Sequence, residues 1–120
     1  MPYGRRAIRL GDQLLREMSL LLVHKVRDPR VRGVTLTGIS MSSDLRKAKV
    51  YYSLIGDEEA IKKAQEGLDR AKGFIKREIA LRISLKYMPD IIFHYDPSLA
   101  MGDKIDRVFK EIKKGEESDI

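Results

Sequence analysis

The chain has 120 residues, the usual length of one domain, and no cysteine, which excludes disulfide bonds, a thiol nucleophile and cysteine-ligated zinc. Its net charge of +6 is concentrated: residues 1–50 hold 11 Lys and Arg against 4 Asp and Glu, and residues 70–88 hold 6 against 1. With no apolar stretch long enough to span a membrane, this pattern favours a cytosolic protein with a nucleic-acid partner, the alternative being a merely solubilising excess of charge.

The first half of the chain predicts one helix and two strands. Apolar residues recur at three- and four-residue steps from Arg5 to about Val26, which is typical of an amphipathic helix. Pro29 ends this helix, because proline disfavours helical geometry at the residue before it. Val34 to Met41 and Ala48 to Ile55 are rich in β-branched and aromatic residues, so we expect two antiparallel strands. The alternation changes phase at Gly38, which predicts a bulge or a close approach of the backbone there.

The second half predicts two helices meeting at a break. Asp57 is a suitable cap for the first of them. The second runs from Phe74 to about Lys86, after a kink at Ala71-Lys72-Gly73, since glycine costs ~1 kcal/mol relative to alanine inside a helix. A side chain at Gly73 is expected to crowd the packing. Its apolar residues lie on two sides, which predicts packing on two neighbours: Phe74, Leu81 and Leu85 on one, and Ile75, Ile79 and Ile83 on the other.

A short strand from Ile91 to Tyr95 and a helix over 105–112 complete the order α-β-β-α-α-β-α. We therefore expect one α+β domain over residues 1–114, with a three-stranded sheet packed against helices, and a flexible polar tail over 115–120. The first six elements follow the order of type II KH domains, which bind single-stranded nucleic acid through a GXXG loop between two helices. No GXXG is present, and Ala71-Lys72-Gly73 stands in its place.

Five stretches of the chain resemble the ribosome-binding factor A family, in which an Ala-X-Gly kink replaces the KH loop. They are Ala71-Lys72-Gly73, Asp28-Pro29-Arg30, Ser43-Asp44-Leu45 with Ala48-Lys49-Val50-Tyr51, Arg82 to Pro89, and Phe93 to Leu99. The resemblance covers about residues 5 to 109. It implies a bacterial or organellar factor that binds precursor small ribosomal subunits and their rRNA, supports late rRNA processing and cold adaptation, and needs no cofactor. We further expect a cytoplasmic monomer with no membrane and no small-molecule substrate as partner.

Basic residues in four regions are the predicted RNA contacts: the start of the first helix, the connection between the two strands, the cations beside the kink, and Arg82 with Lys86 toward the end of the second of the two helices. Positive charge at the start of the first helix opposes the helix dipole, so the arginines there need a reason beyond solvation. Resemblance to the family implicates the cations beside the kink, whereas Arg46, Lys47 and Lys49 at the strand connection have the alternative role of preventing edge-to-edge aggregation. The predicted RNA-binding set is Arg5, Arg6, Arg9, Arg46, Lys49, Lys72, Lys76, Arg77, Arg82 and Lys86, with Ala71 and Gly73 forming the structural kink.

An enzyme is the main alternative class. His94 with Asp96, Asp28 and Asp44 could supply acid, base or metal ligands in a phosphodiesterase. Asp28 and Asp96 each precede proline and Asp44 lies in a strand connection, which favours roles in turns. We therefore predict no catalysis and no bound metal. Two non-enzymatic alternatives remain, a general single-strand binder of KH type and a basic protein-interaction module.

Overall fold

Two helices and three strands make up residues 5–97, the part of the chain that the computed structural model describes. In chain order they are α1 (Arg5–His24), a 3-10 turn (Pro29–Val31), β1 (Thr35–Met41), β2 (Lys47–Ser53), α2 (Glu58–Arg82) and β3 (Asp90–Tyr95). The sheet order is β1-β2-β3, with β2 antiparallel to β1 and parallel to β3. The predicted α+β class and three-stranded sheet are confirmed. The helix predicted over 105–112 and the tail lie outside the described residues.

Both helices pack on the same face of the sheet. Alternate β2 residues Ala48, Val50 and Tyr52 are fully buried, as the sequence pattern predicted. On β3, Ile91 and Phe93 are buried beside them. The helices bury complementary residues, and each large aliphatic side chain so buried contributes about 1.5–3 kcal/mol. These helix residues include Leu14, Met18, Leu21, Leu68, Ile75 and Ile79.

A bulge interrupts the pairing of β1 with β2, where the sequence predicted one. The register shifts between Leu36, which pairs with Tyr52, and Gly38, which pairs with Tyr51. Thr37 is therefore the extra residue of β1. Beyond the bulge the pairing is regular. The extra residue shifts the alternation by one position, so that on both sides of the bulge one face of the strand points into the core and the other into solvent. Gly38 consequently faces away from the helices, opposite Tyr51.

The two helices predicted around Ala71-Lys72-Gly73 are one helix, and the prediction of a break there is wrong. Asp57 caps α2 as expected, its Oδ1 accepting a hydrogen bond of 2.8 Å from the Ala60 N–H. The helix then continues to Arg82, four residues short of the predicted end. The cost of ~1 kcal/mol for glycine inside a helix is small beside the burial of Leu68 and Ile75 on either side of it. Any bend at Gly73 therefore occurs within a continuous helix.

Only one of the two predicted apolar sides of α2 is buried as a stripe. Ile75, Ile79 and Ile83 are buried, whereas Leu81 is 79% exposed, which contradicts its predicted packing. Phe74 and Leu85, from the same predicted side, are partly buried against the core. The long helix packs on the 3-10 turn, β3 and α1, and no neighbour in residues 5–97 covers Leu81.

The crowded glycine of α2 is Gly67, and the prediction that Gly73 is crowded is wrong. A Cβ atom at Gly67 would lie 2.9 Å from Val31 Cγ1 and 3.1 Å from Arg30 Cβ. A Cβ atom at Gly73 would meet nothing closer than the Arg77 guanidinium, at 3.6 Å. Gly67 thus lets the 3-10 turn approach the helix closely, whereas Gly73 is exposed.

Candidate nucleic-acid interface

The start of α1, the β1–β2 connection and the segment after α2 meet around the side chain of Tyr87. The Arg46 guanidinium carbon lies 5.0 Å from the centre of the Tyr87 ring, and Lys86 Nζ lies 5.6 Å from it. Arg6 lines the adjoining pocket of about 330 Å³, together with Leu10, Asp44, Leu45, Ser84 and Leu85. We call Arg6, Arg46, Lys86 and Tyr87 the Tyr87 cluster. The Tyr87 side chain is 56% exposed, so the cluster is open to a ligand.

Hydrogen bonds within the β1–β2 connection hold Arg46 in place. Ser42 Oγ donates to Asp44 Oδ1 at 2.7 Å, and the Arg46 N–H donates to the same oxygen at 3.0 Å. Both hydrogen bonds lower the pKa of Asp44, and the bond from the Ser42 hydroxyl has the larger effect. Leu45 adopts a φ of 63°, which costs a non-glycine residue about 1–2 kcal/mol. Arg46 O accepts from the Asp90 N–H at 2.8 Å, which fastens the connection to the start of β3. Asp44 therefore serves the turn.

Arg5 and Arg9 flank the Tyr87 cluster on the first turns of α1. Both side chains are exposed, and neither forms an ion pair with a residue in 5–97. The first turn of α1 has no acidic residue to offset their unfavourable position at the positive end of the helix dipole. Arg6 projects about 100° around the helix from Arg5, so the three arginines span one broad side of the helix start.

The three cations beside the predicted kink have different surroundings in the structure. Lys76 Nζ lies 3.4 Å from Asp90 Oδ1, which places it beside the start of β3 and close to Arg46. Lys72 Nζ lies 3.7 Å from Asp69 Oδ1 on its own helix. Arg77 is exposed. Surface pairs of this kind are worth about 0–1 kcal/mol, so a phosphate group can displace either carboxylate from its lysine.

Arg82 has a different environment from the other candidates. Its guanidinium donates to Glu78 Oε1 at 2.7 Å and to the Glu78 carbonyl oxygen at 2.8 Å, and its Nε lies 3.6 Å from Glu17 Oε1 of α1. The hydrogen bond from Arg82 lowers the pKa of Glu78. Two carboxylates thus offset its charge, and the side chain links the two helices. This arrangement favours a structural role over RNA contact.

Lys49 lies apart from the Tyr87 cluster, on the face of the sheet away from the helices. It pairs with Ser40 of β1 and Ile92 of β3, and its side chain is exposed. Lys47 lies on the same face, two residues nearer Arg46. The cations of the strand connection therefore divide between the Tyr87 cluster and the outer face of the sheet.

Tyr87 is not among the residues that the sequence predicts for RNA contact. In the sequence it stands only inside the stretch from Arg82 to Pro89 that resembles the family. The available signal was an aromatic residue next to Lys86, inside a stretch that resembles the family. What the sequence could not supply was the position of Arg46, which is 41 positions away along the chain but lies over the same ring.

Asp28-Pro29-Arg30 forms a structural turn, as expected for Asp28. The Asp28 carboxylate accepts from the Arg30 N–H at 2.9 Å and from its guanidinium at 2.7 Å. These hydrogen bonds from Arg30 lower the pKa of Asp28 to about 2. Arg30 also lies 3.7 Å from Glu66 of α2, so this turn is tied to the long helix next to Gly67.

The acidic residues considered for an enzyme do not gather around His94. Asp28 and Asp44 are each engaged in their own turns, and the exposed His94 ring packs edge-to-face on Tyr51 at 5.9 Å. Within residues 5–97, no group of three or more His, Asp or Glu is placed to hold a metal ion. In the same part of the chain, no helix has the length and apolarity needed to cross a membrane.

The sheet order, the two helices on one of its faces and the parallel β3 after the long helix define an α+β protein of the KH-like class. The family model described as ribosome-binding factor A matches residues 6–109, and the chain belongs to that family.

Individual relatives agree with this assignment. Ribosome-binding factor A of Syntrophobacter fumaroxidans is 46% identical over 114 residues, which cover 93% of this chain and 97% of the relative. The crystal structure of ribosome-binding factor A from Thermus thermophilus has a TM-score of 0.66 and 25% identity, over 74% of this chain and 93% of that one. Coordinates of the Thermus thermophilus protein fitted into a cryo-EM map of its complex with the 30S subunit match with a TM-score of 0.62, 25% identity and the same coverage.

Proposed function

We propose that this protein binds the precursor of the small ribosomal subunit in the bacterial cytoplasm, contacts its rRNA, and supports late maturation without catalysing a reaction. The observation that carries the proposal is the Tyr87 cluster, in which Arg46 and Lys86 lie over one exposed aromatic ring and Arg6 lines the pocket beside it, so that three chain segments contribute a cation. The Thermus thermophilus relative that was fitted into a 30S complex supports the choice of partner.

The chemistry of the Tyr87 cluster suits RNA. Cations that neutralise phosphates release counterions, which supplies most of the sequence-independent affinity for nucleic acid. The Tyr87 ring holds Arg46 and Lys86 by cation–π contact, so these side chains lose less entropy when they meet phosphates. Arg5, Arg9 and Lys76 extend the basic surface to either side. A fixed array of cations can hold an RNA conformation without any bond chemistry.

The proposal is tested by removing three charges in two places. In the first variant Arg6, Arg46 and Lys86 are changed to Ala; in the matched control Arg32, Lys62 and Lys63, which are exposed elsewhere on the surface, are changed to Ala. Co-sedimentation with small subunits is measured at several salt concentrations. The first variant should bind more weakly, and each lost phosphate contact should shallow the slope of log affinity against log salt by roughly 0.7–0.9.

The control should bind almost as well as the unchanged protein. Equal weakening of both variants would mean that net charge alone drives association, and the Tyr87 cluster would not be the site. Subunit association that does not depend on salt in the unchanged protein would instead indicate a protein-interaction module.

A further inference from the structure

The face of the sheet opposite the helices carries a small patch of distinctive chemistry. Lys49 and Tyr51 of β2 lie beside Ile92 and His94 of β3, because the parallel register pairs Lys49 with Ile92 and Tyr51 with His94. No helix in residues 5–97 packs on this face, since α1 and α2 both contact the other one. We call these four residues the outer patch.

Two aromatic rings form the centre of the outer patch. The Tyr51 and His94 rings lie 5.9 Å apart and nearly perpendicular, at 86°. His94 is exposed, and Ile92 beside it is 39% exposed although it is a large aliphatic residue. The edge-to-face contact fixes both rings, which leaves a rigid surface for a further flat ring.

Gly38 keeps one side of the Tyr51 ring uncovered. The bulge in β1 sets Gly38 opposite Tyr51, and a Cβ atom at Gly38 would lie 4.0 Å from Tyr51 Cδ2 with no other atom nearer. Gly38 does not adopt a positive φ, so its backbone does not require glycine. The main consequence of having no side chain at Gly38 is therefore the open space beside the Tyr51 ring.

We propose that the outer patch stacks an unpaired base of single-stranded RNA on Tyr51 and His94, with Lys49 and Lys47 facing the adjoining phosphates. This inference rests on the proposed function, because it assumes that RNA is the partner. Aromatic side chains on an open sheet face are a recurring platform for stacked bases, and neighbouring cations follow the backbone.

Charge on the outer face favours RNA over other occupants. Over residues 47–51 of β2 and 90–94 of β3, Lys47 and Lys49 are exposed cations of this face, and its one carboxylate, Asp90, is already paired with Lys76. Ile92 is the one aliphatic residue there, too little apolar surface for a stable protein interface.

The outer patch also continues from the Tyr87 cluster. Arg46 immediately precedes Lys47, the first residue of β2, and the five steps from Arg46 to Tyr51 span about 17 Å at the rise of a β-strand. One RNA strand can therefore contact phosphates at Arg46 and reach Tyr51 with a base.

The experiment compares a hexamer of adenylates with a hexamer of stable abasic nucleotides, which keeps the phosphates and removes the bases. The full chain and its Tyr51→Ala, Tyr51→Phe and Gly38→Val variants are titrated with each. Tyr51→Ala should weaken adenylate binding about 5- to 150-fold, the range for losing one aromatic stacking partner, and should leave the slope against salt unchanged. Tyr51→Phe keeps the ring and should bind like the unchanged protein.

Gly38→Val tests the open side of the ring without removing it. Valine suits a strand, and its methyl groups would cover Tyr51, so this variant should lose adenylate affinity while its thermal unfolding stays close to that of the parent. For all variants the abasic hexamer should bind as it does to the unchanged protein. Upfield shifts of the Tyr51 and His94 ring protons on adding adenylates would show stacking directly.

Three results would overturn the inference. They are unchanged adenylate affinity in folded Tyr51→Ala, equal weakening for the abasic hexamer, and ring-proton contacts of Tyr51 or His94 with residues 98–120 in the absence of RNA. The Arg6, Arg46 and Lys86 variant separates this failure from failure of the proposed function. If that variant loses small-subunit association while Tyr51→Ala has no effect on any ligand, the function stands and the outer patch does not bind RNA.

Discussion

Gly67 and Gly73 show how identical residues six positions apart in one helix have different roles. Gly67 is buried where the 3-10 turn crosses α2, with Val31 and Arg30 next to its Cα atom. Gly73 is exposed, and a Cβ atom there would make only an ordinary contact with the end of the Arg77 side chain. From the sequence, the family-like Ala-X-Gly pattern drew attention to Gly73. The pattern of a helix does not reveal which glycine lies against another segment, because that depends on where Asp28-Pro29-Arg30 returns to it.

A matched pair of substitutions tests this distinction. Gly67→Val should lower the free energy of unfolding by about 1–3 kcal/mol, because its Cβ atom must displace the buried Val31 side chain. Gly73→Val should change it by no more than about 0.5 kcal/mol, since valine and glycine differ little in helix propensity and the site is open. Urea unfolding measures both. Equal losses from the two variants would contradict the assignment.

At the scale of elements, a hydrogen-bond relay joins β2, α2 and β3. The Tyr52 hydroxyl donates to Gln65 Oε1 at 2.6 Å, and Gln65 Nε2 donates to the Phe93 carbonyl oxygen at 3.0 Å. Burial raises the pKa of Tyr52 to about 12, and the negative charges of Asp69 and of ionised Tyr95 add smaller contributions in the same direction. The folded protein therefore holds this phenol in its neutral form, in which its hydroxyl donates the hydrogen bond to Gln65.

This pKa predicts a loss of stability in alkali. An unfolded tyrosine ionises near pH 10, so the contribution of Tyr52 is fully present below that pH and is lost as pH rises from 10 through about 12. The loss amounts to a few kcal/mol at most for a difference of about two pKa units. Tyr52→Phe should be less stable at neutral pH but should show a shallower decline over this interval. Urea titrations at pH 7 to 12 measure it, and parallel declines would contradict the prediction.

The elements themselves were largely predictable, and the exception has a physical cause. Alternation indicated the buried face of β2, and the change of phase at Gly38 located the bulge, because period-two patterns report burial directly. The continuity of α2 was not predictable from its glycine, since the small local cost competes with the burial of Leu68 and Ile75, and burial depends on the tertiary fold. For the same reason Leu81 was assigned to a packed side that the fold leaves in solvent.

At the scale of the whole molecule, the sequence predicted which residues are basic but only partly which of them act together. Arg6, Arg46 and Lys86 were expected as candidates, and the fold gathers them at Tyr87. Arg82 was also a predicted RNA contact, but the fold pairs its guanidinium with Glu17 and Glu78. Charge is a property of the sequence, whereas compensation of charge depends on neighbours brought in by tertiary packing. The role of each candidate in RNA contact stays a prediction.

The placement of the Tyr87 cluster and the outer patch along β2 leads to a prediction about RNA length. A trinucleotide can occupy one of the two surfaces at a time, whereas an RNA of ten nucleotides can bridge the roughly 17 Å between Arg46 and Tyr51. Bridging makes the second contact intramolecular, so the affinity gained on lengthening the strand should exceed about tenfold.

The Tyr87 cluster and the outer patch can be removed separately to test this prediction. Two variants are compared: Tyr51→Ala, and a double variant with Arg46→Ala and Lys86→Ala. In each of them, lengthening the RNA from three to ten nucleotides should raise the affinity only by the small factor that comes from the larger number of positions at which a longer RNA can bind. Combining all three changes should cause little further loss in that gain, since one missing contact already prevents bridging. Fluorescence titrations of both oligomers measure the ratio. A gain that persists in Tyr51→Ala would show that the strand leaves the Tyr87 cluster in another direction, because only a path along β2 passes the Tyr51 ring.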